Sequence, residues 1–163
     1  MRAFYRASDY GMKSSIGYLV RRSANLLLPQ MEALFADQTL SFSQWTALMA
    51  LRDGDVATAA DLSRVICHDT GSLTRILDQL EKRGFVTRKR SESDRRLVTL
   101  ELTQKARNLI ASLMPKVVGL WNELLGDFSH DEIRFLIKLL TRLTAAAEGR
   151  RAPQPRRARR KLA

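Results

Sequence analysis

From Met12 to about Asp37 apolar residues return at helical spacing: Ile16, Leu19, Val20, Leu26, Leu27, Met31 and Leu34. Pro29 lies inside that run. A proline in a helix interior costs about 3 kcal/mol, so the pattern predicts a kink or a break near Leu27–Pro29. Next comes Ser41-Phe-Ser-Gln44, a capping box in which each polar side chain meets a free backbone N–H of the first turn. It predicts a helix from Phe42 to about Arg52, with Trp45, Leu48 and Met49 inward and Leu51 beside them. Asp53-Gly54-Asp55 ends it.

Thr58-Ala-Ala-Asp61 is a second start signal, opening a short helix that carries Leu62, Val65 and Ile66. His68-Asp-Thr-Gly71 reads as a turn into another helix, with Asp69 or Thr70 as N-cap. There Leu73, Ile76, Leu77 and Leu80 fall at i, i+3, i+4 and i+7 and form one apolar stripe. The opposite face is Gly71, Arg75, Asp78 and Lys82, flanked by Ser72, Thr74 and Gln79, and Gly84 stops the helix.

Alternation then replaces helical spacing. Phe85–Arg90 and Leu97–Leu102 read as two strands, the second with Val98, Leu100 and Leu102 on one face, joined by the polar link Ser91–Arg96. A long helix is expected from Thr103 to about Leu125, on Leu109, Ile110, Leu113, Val117, Leu120, Trp121 and Leu124; Pro115 predicts a bend in it. Ser129-His-Asp-Glu132 is a third capping box, opening a last helix with Ile133, Leu136, Ile137, Leu140 and Leu143 at helical spacing.

The expected fold is mainly α with a small β-hairpin wing (α+β), a winged helix-turn-helix between N- and C-terminal helices. Its parts are an N-terminal helical region 1–40, a winged lobe 41–103, C-terminal helices 104–148 and a tail 149–163. The tail's Arg, Pro, Ala and Gln cannot bury enough apolar surface to order it. The first and last helices are too apolar for the surface of a monomer, so they are expected to dimerise.

Charge narrows the partner. The 163 residues carry a formal net charge of +11 and a sequence pI of about 10.6, which points to nucleic acid. Seven of the 28 basic residues sit in the tail, leaving 21 against 17 acidic ones over residues 1–148. Placement, rather than total charge, must carry the argument there. The lone Cys67 permits no intramolecular disulfide and fits a reducing compartment. The N-terminus lacks a continuous apolar core for a signal peptide, and no run approaches the roughly 20 apolar residues of a membrane span. A cytoplasmic location is expected, with no membrane partner.

An α-helix fits the major groove, and the second helix of the pair is the one suited to enter it. Small residues at its start let the backbone come close, so Thr70, Gly71, Ser72 and Thr74 are candidate DNA contacts. Arg75, one turn in, can fork onto guanine O6 and N7. The hairpin tip gathers Arg88, Arg90, Arg95 and Arg96. A narrow A·T-rich minor groove attracts such arginines, and Asp94 is placed to hold one of them in a fixed rotamer or to cap the turn. An architectural binder without sequence preference is the alternative; Ser72, Thr74 and Arg75 argue against it.

At these residues the chain resembles the MarR (multiple antibiotic resistance regulator) family. The matching segments are DLS at 61–63, DTGSLTRILDQLEKRGFVTR at 69–88 and DRRLVTLELT at 94–103. The wing pattern of Asp-x-Arg followed by a strand ending Leu-Thr is met by Asp94, Arg96, Leu102 and Thr103. Ala106 departs from it, standing where a glycine is frequent. The resemblance covers about residues 12–148 and leaves the basic tail outside. It implies a homodimeric regulator, by expectation a repressor, that reads two half-sites of double-stranded DNA. It also implies release by a small phenolic or aromatic acid bound between the dimer helices and the lobe. Tyr18, Arg22, Trp45 and His68 are candidates for that pocket, with plain core packing as the competing reading of Trp45. Some relatives sense peroxide through a cysteine of the N-terminal helix, which has none here. Cys67 adjoins Asp69, which disfavours a thiolate, so a redox role is the alternative rather than the expectation. No nucleophile–base arrangement, phosphate loop or metal-ligand spacing occurs, so neither enzyme activity nor a cofactor is expected.

Overall fold

The computed structural model describes residues 3–54, 56–66, 70–90 and 98–150. Cys67, His68, Asp69, the link 91–97 with Asp94, Arg95 and Arg96, and nearly all of the basic tail lie outside them. Six helices and a hairpin follow in the expected order: α1 (Ile16–Phe35), α2 (Phe42–Asp53), α3 (Ala59–Val65), α4 (Thr70–Lys82), β1 (Val86–Arg90), β2 (Val98–Leu102), α5 (Gln104–Leu124) and α6 (His130–Glu148). The chain divides into two compact units after Val118, inside α5.

Local chemistry sets the helix starts. Both Ser41-x-x-Gln44 and Ser129-x-x-Glu132 form reciprocal capping boxes. Thr58 accepts from the Asp61 N–H at the start of α3. Gly54 and Gly84 end α2 and α4 in the left-handed region, at φ 80° and 72°. An unforeseen arm precedes α1. Tyr5 Oη accepts from Ile16 N at 3.1 Å and donates to Ser14 O at 3.0 Å, while Ser15 caps the helix through Tyr18 N.

α1 does not break at Pro29; it runs unbroken through it, as α5 does through Pro115. Only one intrahelical bond is lost at each proline, and the rest of a long ladder remains. Met31 and Phe35 of α1 are buried, and Phe35 stacks on Trp45 with ring centroids 5.1 Å apart. That pair joins Leu48, Leu62, Leu73, Leu80, Val86 and Ile110 in the core of the first unit. In α2 the inward positions are Gln44, Trp45, Ala47, Leu48 and Ala50, with Met49 and Leu51 half-buried.

β1 and β2 pair antiparallel, Val86 opposite Leu102 and Arg90 opposite Val98. Leu100 is buried, Leu102 half-buried and Val98 exposed, so the expected inner face exists and opens toward the tip. A third short segment joins the sheet: Leu100 N donates to Ala57 O at 2.9 Å, and Thr58 bridges Thr99. In α6 the apolar positions are largely open, with Ile137 at 59% and Phe135 at 60% exposure. α1 likewise leaves Ile16, Leu19, Val20 and Leu26 exposed.

Candidate nucleic-acid interface

α4 is built to bury one side and offer the other. Leu73, Ile76, Leu77 and Leu80 are all buried, which fixes the helix's rotation about its axis. Rotation fixes what remains outside: Gly71, Thr74, Arg75 and Asp78 are exposed and Ser72 is half-buried. A polar tie adds register, since buried Gln44 donates from Nε2 to Gln79 Oε1 at 2.8 Å. Gln44 thus serves the capping box of α2 and the seating of α4 together. Thr70 opens α4, and its side chain is not among those described.

Arg75 has no hydrogen bond or ion pair among the described residues. Its guanidinium is therefore available at the outer face. Arg88 differs. Its side chain turns back from β1, donating from Nη2 to Asp78 Oδ1 at 2.7 Å and from Nη1 to Glu81 Oε2 at 2.7 Å. A fork onto two carboxylates of one helix needs the tertiary fold, and sequence spacing does not reveal it. Lys89 pairs across the strands with Glu101 at 2.7 Å. Arg90 ends β1 with its side chain outside the described set.

The base of the wing is pinned by Thr103. Its hydroxyl donates to Gly84 O at 2.7 Å and accepts from Ala106 N at 3.2 Å, capping α5. Ala106 is fully buried, so the methyl that replaces a frequent glycine packs without cost to the helix. Behind the wing Arg83 lies over the Phe85 ring at 4.8 Å and donates to Thr39 O at 2.9 Å. Thr39 adopts the left-handed region at φ 47°, a conformation this bond helps hold.

Two hollows are large enough to consider as small-molecule pockets, and one of them includes predicted candidates. Tyr18 and Arg22 share one of about 380 Å³ on α1 with Arg21, Asn25 and Leu26. Trp45 is not among its lining residues; it sits buried against Phe35, as core packing requires. Arg52, Arg107, Ile110, Ala111 and Met114 line another of about 330 Å³ between α2 and α5, which the sequence reading did not single out. Two carboxyls are held below their ordinary values: Asp61 by the Thr58 hydroxyl and then by Arg64, Glu132 by the Ser129 backbone N–H and hydroxyl. Among the described residues no group of His, Cys, Asp and Glu could hold a metal ion, and no helix is long and apolar enough to cross a membrane.

Residues 40–98, from the end of the first helical region through the wing link, match the model of the MarR family. The chain is 33% identical over 104 residues to an uncharacterised HTH-type transcriptional regulator, YdgJ, of Bacillus subtilis, a match covering 64% of this chain and 63% of that protein. The chain thus spans less than two thirds of that relative's length. It is 29% identical over 115 residues to the organic hydroperoxide resistance transcriptional regulator of the same organism, covering 71% and 76%. Among solved structures, a cysteine-to-serine mutant of Escherichia coli MarR complexed with operator DNA is 26% identical with a TM-score of 0.70, covering 78% of this chain and 92% of that one. Bordetella bronchiseptica BpsR, whose DNA binding is regulated by 6-hydroxynicotinic acid, is 22% identical with a TM-score of 0.73, covering 83% and 96%.

Proposed function

We propose that the chain, which matches the MarR family over residues 40–98, is a transcriptional regulator of that family that binds pseudo-palindromic double-stranded DNA as a homodimer. The observation that carries this reading is Arg75: exposed, without a partner among the described residues, on the face of α4 opposite a fully buried stripe. A guanidinium so placed can reach a base edge, while the exposed Gly71 and Thr74 let the helix approach the groove. Ser72 and the N-terminal turn of α4 supply phosphate-facing groups. The tip residues Arg95 and Arg96, with Asp94, are assigned to the flanking minor groove on sequence grounds.

Dimerisation is supported by the apolar side chains that α1 and α6 each leave open, since a monomer rarely exposes so many. Two symmetric lobes then meet half-sites about one helical turn apart. The regulator acts as a repressor released by a small aromatic acid. The hollow at Tyr18 and Arg22 offers an aromatic wall and a cation for such a ligand, and the regulation of BpsR by an aromatic acid supports that chemistry. Selecting bound fragments from genomic DNA tests the reading. A shared pseudo-palindrome, bound far better than random duplex of equal length, is expected; uniform recovery of fragments overturns it.

A further inference from the structure

Arg88 stands on the first wing strand, where its charge suggests a phosphate contact, yet its guanidinium points elsewhere. It spans Asp78 and Glu81, which lie one turn apart on α4, with both contacts at 2.7 Å. The side chains are part-exposed, at 32% for Arg88, 57% for Asp78 and 40% for Glu81, and ion pairs this wet contribute little to stability. A role other than holding the fold is one turn away. Asp78 is at i+3 from Arg75, close enough on a helix surface for the two to pair. Arg75 nonetheless has no partner among the described residues, and Asp78 is turned to Arg88.

We propose that Arg88 is a positioning residue: it takes up Asp78 and Glu81 and so keeps the Arg75 guanidinium free for a base edge. An unclamped Asp78 carboxylate would compete with guanine for the same fork of donors and would have to be displaced on every binding event. The same clamp ties β1 to α4, so helix and wing strand meet DNA in fixed relation. This inference rests on the DNA-binding reading above.

A double-mutant cycle separates the roles. Wild type, Arg88→Gln, Asp78→Asn and the double variant are titrated on the selected operator and on random duplex over a range of salt. The clamp predicts that Arg88→Gln weakens operator binding about tenfold, blunts the preference at the base read by Arg75, and leaves random duplex within about twofold. Adding Asp78→Asn to Arg88→Gln restores most of the loss, because the competing carboxylate is gone. A phosphate contact gives another pattern: operator and random duplex weaken alike, the salt slope falls by about 0.9, and Asp78→Asn acts equally with or without Arg88. That additivity overturns the inference while leaving the DNA-binding reading intact. A wild type without preference for operator overturns both. Should Arg88→Gln fail to fold, Arg88→Lys keeps the charge with a single point contact, and the same cycle is read from it.

Discussion

Replacing Thr103 by valine removes one hydroxyl from the place where the wing meets α5. Three contacts go with it: a bond to Gly84 O at 2.7 Å, a longer one to Phe85 O at 3.3 Å, and the cap on Ala106 N at 3.2 Å. They do not weigh equally. Phe85 O still accepts from Thr103 N at 3.0 Å, and exposed Gly84 can turn to water. Ala106 is fully buried, so its N–H is left without a replacement. The loss is therefore that of an N-cap, about 1–2 kcal/mol. For a chain of this size that lowers Tm by about 2–8 °C. Urea unfolding at fixed protomer concentration measures it, because association shifts apparent stability. The midpoint should fall with the slope unchanged, and Thr103→Ser should recover nearly all of the loss. Valine at the wild-type midpoint, or serine as damaging as valine, would refute the reasoning.

Acid should weaken the caps of α3 and α6. Asp61 and Glu132 have folded values below their ordinary 3.8 and 4.5, so their stabilisation is present above those values and is lost as pH falls through the lowered ones. Asp61→Asn and Glu132→Gln should lose less stability than wild type between pH 6 and pH 3 in urea titrations; equal losses contradict the assignment. Ile137→Lys, on the open face of α6, should shift sedimentation at micromolar concentration from dimer to monomer, and an unchanged dimer rules that face out of the interface. Hydroxybenzoates should release operator from wild type, and Arg22→Ala should move the release curve to about tenfold higher concentration, a coupling loss of about 1.4 kcal/mol. An unmoved curve excludes the hollow on α1 as the pocket.

Where the chemistry is local, the sequence was legible. Both capping boxes and the Thr58 cap were readable because donor and acceptor lie three residues apart. The stripe of α4 was readable because a 3.6-residue period survives any tertiary context, and it placed Arg75 on the open face. Tertiary pairings were not legible. The Arg88 fork spans seven and ten residues across a turn, and the Gln44–Gln79 bond spans 35. The strand-like pairing of Ala57 and Thr58 with β2 uses backbone groups alone, which every residue type carries. Trp45 had two readings from sequence, and its burial against Phe35 is a tertiary fact that neither reading could supply. At Pro29 a break was one of two expected outcomes, and the 20-residue helix runs on without one.

The central claim is that the outer face of α4 reads DNA through Arg75. Affinities of wild type and Arg75→Ala on a set of operators, each with one core base pair changed, test it most directly. The account predicts that Arg75→Ala loses about 1–3 kcal/mol on the intact operator and becomes indifferent to the base at one position in each half-site. A variant that keeps the wild-type pattern of base preferences at every position, whatever its overall affinity, contradicts it.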